Sequence, residues 1–91
     1  MNPERILEAA IKTPNGVVHS PKPARHGDII HALAEKTGKP VPGDWEQGFV
    51  TTRLRFVSRR EAFEIAVRER QLKPRREGQY NGPELYSEDL W

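Results

Sequence analysis

Arg25 and His26 stand side by side in "PARHGDIIHALAEKTG", residues 23–38, where the residue pattern predicts the start of a helix. A helix N-terminus already carries partial positive charge from its unpaired N–H groups. Two potential cations there are unfavourable unless an anion lies between them. Phosphate recognition is one chemistry that fits. The free N–H groups near Gly27 and Asp28 would donate to the oxygens, Gly27 would let the backbone approach, and Arg25 would fork onto two oxygens. A structural role also fits: His26 caps the helix, Arg25 pairs with an acidic side chain, and Asp28 serves the dipole.

Arg59 and Arg60 repeat the puzzle at a second predicted helix start. Either they hold a phosphate, or Glu61 and Glu64 neutralise them as surface ion pairs. Between the two pairs lies "EQGFV", residues 46–50. Gln47 has the groups to read a base edge, and Phe49 has a ring that stacks on a purine or begins a core strand. The candidate ligand-binding set is therefore Arg25, His26, Gln47, Phe49, Arg59 and Arg60.

Other chemistries find little support. His26 and His31 are five residues apart, off the i, i+4 spacing of a helical metal pair, and His19 falls in a predicted strand. There is no cysteine, so neither a disulfide framework nor a thiolate metal site is available. No nucleophile–base pair or phosphate-cradling glycine loop is present. Glu88 and Asp89 are adjacent carboxylates suited to docking by ion pairs. The expectation is a non-catalytic protein with no metal and no cofactor.

The chain of 91 residues is short enough for one domain, 1–91. Hydrophobic residues make up 35% and charged residues 31%, a thin core for which oligomerisation is added support. Net charge is +2, but the basic residues concentrate between Arg53 and Arg76 and the end of the chain is acidic. No apolar run has the length of a membrane span, and "MNPERILEAAIK" lacks the pattern of a signal peptide. The expected location is the cytoplasm.

The elements that must position these residues follow from local pattern. Asn15-Gly16 is a hairpin turn signal, so residues 5–13 are read as a strand pairing with residues 17–20, despite fair helix propensity. "SPKPA" is a stiff connector. Ile29, Ile30, Leu33 and Ala34 predict a helix stopped by Gly38. "KPVPGDWEQG" reads as a loop, and "FVTT" and "RFV" as a second hairpin. Ser58 and Glu61 form a capping box opening a helix with Ala62, Phe63, Ile65, Ala66 and Val67 buried, fading near Gln71. Residues 73–83 are a basic loop, and residues 84–91 a docking tail whose Leu85, Tyr86, Leu90 and Trp91 suit the chain's own domain or a second copy in a homo-oligomer. The predicted fold class is α+β: a small antiparallel or mixed sheet from two β-hairpins, with two helices packed on it.

Taken together, "ARHGDIIHALAEKTG", "EQGFV", "RFVSRREAFEIA" and "LYSEDLW" resemble a family of small phage and prophage proteins with an Arg-His, Glu-Gln-Gly-Phe and Ser-Glu-Asp-Leu-Trp pattern. The likeness runs from about Ala9 to Trp91. The chain departs from it at Thr52-Arg53-Leu54, where the pattern has Ser-Asp-Gly, and in a longer, more basic segment 73–83. The group resembles Thoeris anti-defence type sponge proteins. That resemblance implies a phage-encoded oligomer in the bacterial host cytoplasm, sequestering a cyclic nucleotide signal such as a cyclic ADP-ribose isomer or cyclic oligonucleotide without cleaving it. The alternative is a small basic nucleic-acid-binding or protein-interaction module.

Overall fold

A computed structural model describes residues 3–73 and 83–91. Strands β1 (Ile6–Thr13), β2 (Gly16–Ser20), β3 (Glu46–Thr51) and β4 (Phe56–Ser58) form a four-stranded sheet in the order β2-β1-β3-β4. Each neighbouring pair is antiparallel. Helix α1 (His26–Thr37) lies over β1 and β2, and α2 (Arg59–Arg68) over β3 and β4. The fold class is α+β, with an antiparallel sheet.

The first hairpin exists, but its turn is one residue earlier than Asn15-Gly16 suggests. Thr13 pairs with Gly16, so Pro14 and Asn15 are the central residues. Proline holds its φ near −65°, which excludes the primed turn that Asn-Gly would have made. The Thr13 hydroxyl instead accepts from the Asn15 N–H at 3.1 Å and donates to the Gly16 carbonyl at 2.7 Å. Gly16 takes the positive φ, 125°.

Helix α1 ends as its pattern predicts. Gly38 is left-handed at φ 70°, and its N–H donates to the Ala34 carbonyl. At the start of α2 the Ser58 hydroxyl accepts from the Glu61 N–H at 3.2 Å. The Glu61 carboxylate, however, turns to Arg55 at 2.8 Å rather than back to Ser58. Arg68, in the last turn of α2, bonds Glu69 and the Glu4 carbonyl. Helix α2 closes at Arg68, short of Gln71. Gln71 N–H reaches the Ala66 carbonyl and Arg70 N–H the Val67 carbonyl, with Arg70 left-handed at φ 56°. This six-to-one and five-to-two pattern ends a helix wherever a residue accepts the left-handed position, most often glycine. Gln71 is then free to bond the Ile6 N–H and carbonyl with its amide, at 2.8 and 2.9 Å. Val67, expected in the core, is 48% exposed.

The core joins Ile6, Ala9, Ile11, Ile29, Phe49, Val57, Phe63, Ile65 and Leu85. Strand β3 begins two residues before the predicted loop ends. Gly48 lies inside the strand, and nothing larger than glycine fits there: a Cβ would lie 2.2 Å from the Val57 carbonyl oxygen and 2.6 Å from the Phe56 ring. The second hairpin turns through Thr52-Arg53-Leu54, with Leu54 at φ 58° where a glycine would be unstrained. Residues 74–82 of the predicted basic loop lie outside the described residues.

A charge cluster, with Glu4 and Thr51 buried and Arg55 exposed, clamps the start of β1 to this hairpin. Glu4 accepts from the Thr51 hydroxyl at 2.6 Å and from Arg55 at 2.8 and 2.9 Å. The Arg55 guanidinium, then the Thr51 hydroxyl, lower the Glu4 pKa from 4.5 to about 2. A carboxylate with a depressed folded pKa contributes stability that is complete above the unfolded pKa and lost as pH falls through the folded one. The melting-temperature advantage of wild type over Glu4→Gln is therefore expected to be full above pH 4.5 and to vanish as pH approaches 2. An advantage that persists unchanged to the acid end refutes this assignment. Gly48→Ala is expected to cost about 1–3 kcal/mol in chemical denaturation, the usual penalty of overpacking.

Candidate functional site

Four of the six sequence-predicted site residues meet at one place, between the starts of both helices and the end of the chain. Arg25 is the N-cap of α1 and His26 its first residue. The His26 ring is 4% exposed, and Nε2 lies 2.7 Å from the Gly48 carbonyl oxygen. A carbonyl only accepts, so Nε2 carries the proton of this bond. The ring meets Phe49 edge-on, with centroids 5.0 Å apart. Arg59, the first residue of α2, donates from Nη2 to Gln47 Oε1 at 2.8 Å and lies 3.5 Å from His26 Nδ1. Strand β3 thus sets Gln47, Gly48 and Phe49 along one ladder, and the two helix starts supply His26 and Arg59.

The remaining two residues stand differently. Arg25 lies beside the cluster, not in it: Nε and Nη2 donate to the main-chain oxygen of Trp91 at 3.1 and 2.7 Å. Its own N–H donates to the Asp28 carboxylate at 2.8 Å. Arg60 is exposed, and no hydrogen bond or ion pair joins it to the cluster. Phe49 is a core residue with no exposed surface, so in this conformation its ring has no face open to a base. Neither Glu61 nor Glu64 neutralises Arg59. Among the described residues no carboxylate lies within ion-pair distance of it.

Sequence reasoning missed the tail's part in this site. A 3-10 turn, Ser87–Asp89, closes over the cluster. The Tyr86 ring lies under the Arg59 guanidinium at 4.5 Å. Ser87 Oγ is 3.4 Å from the His26 N–H, and Leu85 N–H donates to the Arg59 carbonyl at 2.9 Å. Trp91 Nε1 donates to the Ala24 carbonyl at 3.0 Å. Leu85, Ser87 and Asp89 are fully buried, so the tail packs on its own domain. The two aromatics and two leucines around "SED" were the signal that it docks; nothing in their spacing says where.

One polar atom in the site has no counterpart. Arg59 Nε is buried and without a hydrogen-bond partner. Buried polar groups are nearly always bonded, so such an exception marks strain or a missing partner. His19 and His31 lie elsewhere, facing Glu8 and Glu35. Among the described residues no His, Asp or Glu group has the arrangement of a metal site, and no helix is long and apolar enough to cross a membrane.

The family described as phage T4 y16D protein matches residues 5–91. The chain belongs to the phage T4 y16D protein family. That match spans both hairpins, both helices and the tail that completes the cluster, so the phage family and the site share the same stretch of chain. No curated protein and no solved structure matches the chain.

The geometry separates structural from ligand roles by variant. His26→Ala is expected to lower unfolding free energy by roughly 2–4 kcal/mol, since it opens a cavity and leaves the Gly48 carbonyl without its His26 donor. Arg25→Ala removes two exposed bonds to Trp91 and is expected to cost only about 1 kcal/mol, while raising hydrogen exchange in residues 85–91. A large loss in Arg25→Ala with an unchanged tail would show that Arg25 acts elsewhere.

Proposed function

We propose that this phage protein binds and sequesters an anionic nucleotide-type signal of host defence, a cyclic ADP-ribose isomer or a cyclic oligonucleotide, without cleaving it. The observation that carries the reading is Arg59. Its guanidinium is half-buried, lacks a carboxylate partner among the described residues, and holds a buried Nε–H with no acceptor. Burying an unpaired donor or charge costs stability that a bound anion returns. Phosphate oxygens suit a guanidinium because its N–H groups form a planar fork. Tyr86, 41% exposed against that guanidinium, suits a base, and Gln47 supplies an adjacent amide for a base edge.

The signal class comes from the resemblance to Thoeris anti-defence type sponges, and the absence of a nucleophile–base pair in the sequence supports binding over turnover. Arg25 enters this reading as a secondary contact, since it must release Trp91 to reach a ligand.

Thermal shift against a panel of cyclic ADP-ribose isomers and cyclic oligonucleotides tests the proposal. A ligand at about 100 times its Kd adds roughly 2.7 kcal/mol, a rise of roughly 10–20 °C for a domain of this size. Arg59→Ala is expected to weaken binding by roughly ten- to a hundredfold, the loss of one charge-assisted contact, with Arg59→Lys recovering part. Liquid chromatography is expected to return the ligand intact. No shift across the panel, or equal affinity in Arg59→Ala, would sink the reading. A polynucleotide affinity that falls steeply with salt would replace it with a basic nucleic-acid module.

A further inference from the structure

Strand β2 is one edge of the sheet, and α1 overhangs it. The main-chain direction along this edge follows from the ladder. Thr51 N–H donates to the Arg55 carbonyl, so Thr51, Phe49 and Gln47 point their main-chain groups at β4. Glu46, Gly48 and Val50 therefore point at β1, where they meet Lys12, Ala10 and Glu8. Ala9, Ile11 and Thr13 must then face β2, where they meet Ser20, Val18 and Gly16. Val17 and His19 are left with N–H and carbonyl groups pointing away from the sheet.

Two cavities flank this edge. One of ≈ 280 Å³ lies between β2 and α1, walled by Val18, Asp28, Ala32, Leu33 and Lys36. Another of ≈ 230 Å³ continues past Leu33 and Lys36 toward Trp45. Neither shares a residue with the His26–Arg59 cluster. On α1 the residues bordering the larger cavity include Asp28, Ala32 and Lys36, all exposed. They are spaced i, i+4 and i+8, so they form one row with the small residue at its centre. Among the described residues no carboxylate lies within ion-pair distance of Lys36.

We propose that this face pairs with a second copy of the chain, β2 against β2 and α1 against α1, about a two-fold axis. The surface is self-complementary, as such an axis demands. With the axis at Val18, Val17 faces the partner's His19 and His19 the partner's Val17, so every outward main-chain group meets its mate. The sheet becomes a continuous antiparallel one of eight strands. The same axis at Ala32 sets Asp28 beside the partner's Lys36 and Lys36 beside the partner's Asp28.

Spacing agrees. Strands lie about 4.8 Å apart, so a helix centred over β1 and β2 stands about 4.8 Å from an axis just outside β2. Its mate is then about 9.6 Å away, within the 8–10 Å of packed helices. Ala32 is small enough to sit at that crossing. The tail, folded onto its own domain, is not needed for this contact.

Sedimentation equilibrium from micromolar to millimolar concentration tests the dimer. Wild type is expected to reach twice the chain mass, more weakly at high salt. Ala32→Glu places two carboxylates against each other at the axis and is expected to raise the dimer dissociation constant by about a hundredfold or more, the effect of like charges juxtaposed. Lys36→Glu sets like charges against Asp28 and gives the same direction at a second exposed site, which decides the matter should Ala32→Glu not fold. His19→Pro removes an N–H that the single chain's ladder does not use and is expected to dissociate the dimer while leaving the circular dichroism spectrum intact. Wild type at the chain mass throughout overturns the proposal. So does a dimer that survives these changes, which would put the interface elsewhere.

Discussion

The Gly48 carbonyl is the point on which the upper half of the domain hangs. Without a side chain at Gly48, the Val57 carbonyl and Phe56 ring close onto β3. That closeness holds β4, and with it the start of α2. The same carbonyl accepts the His26 Nε2–H at 2.7 Å, which sets the start of α1. Both helix starts then hold the tail: α1 through Ser87 beside the His26 N–H, α2 through the Arg59 carbonyl and Leu85. A single hydrogen bond contributes only about 1 kcal/mol net, but a buried group left without one costs up to about 3. The junction is held less by the strength of its bonds than by the cost of breaking any one of them.

Two arginines at helix N-termini oppose the macrodipole, each at roughly 0.3–1 kcal/mol. The structure resolves them in different ways. Arg25 bends out to the Trp91 oxygen while Asp28 takes its place before the dipole. Arg59 stays in the wall of the site, its charge met by the Tyr86 ring and the Gln47 amide. A ring face and an amide stabilise a cation but do not neutralise it. That difference moves the weight of the ligand reading from the Arg25–His26 pair, where the sequence first draws attention, to Arg59.

What the sequence shows plainly is local. Alternation, the Pro/Asn/Gly turn, the Gly38 stop and the Ser58 cap depend on near neighbours, and the hairpins and helices follow them. Two left-handed residues, Leu54 and Arg70, escape such reading because they are not glycines; the ladder and the cap bonds around them impose the conformation. Gly48 looks like loop punctuation until β4 lies against it. Glu4, Gln71 and the tail are legible only as polar or apolar segments, since their partners stand about 50 to 65 positions away along the chain. Gln47 and Arg59 belong to one candidate set, but their direct contact is a consequence of sheet order, not of spacing.

Sheet order also decides whether binding and self-association compete. Edge β2 lies two strands from β3, and the cluster gathers at β3, the start of α2 and the tail. Strand spacing puts roughly 10 Å of sheet between the free edge and the strand carrying Gln47 and Gly48. Helix α1 serves both sides, because its first residue fixes the cluster while Asp28, Ala32 and Lys36 run along the outer row. A partner docked on that row adds contacts to the helix without covering Arg59 or Tyr86. In the proposed dimer the two sites would then stand at opposite ends of one continuous sheet, each completed by its own tail. Such an arrangement lets a thin core gain support from a second copy while both guanidinium sites stay open to a small anion.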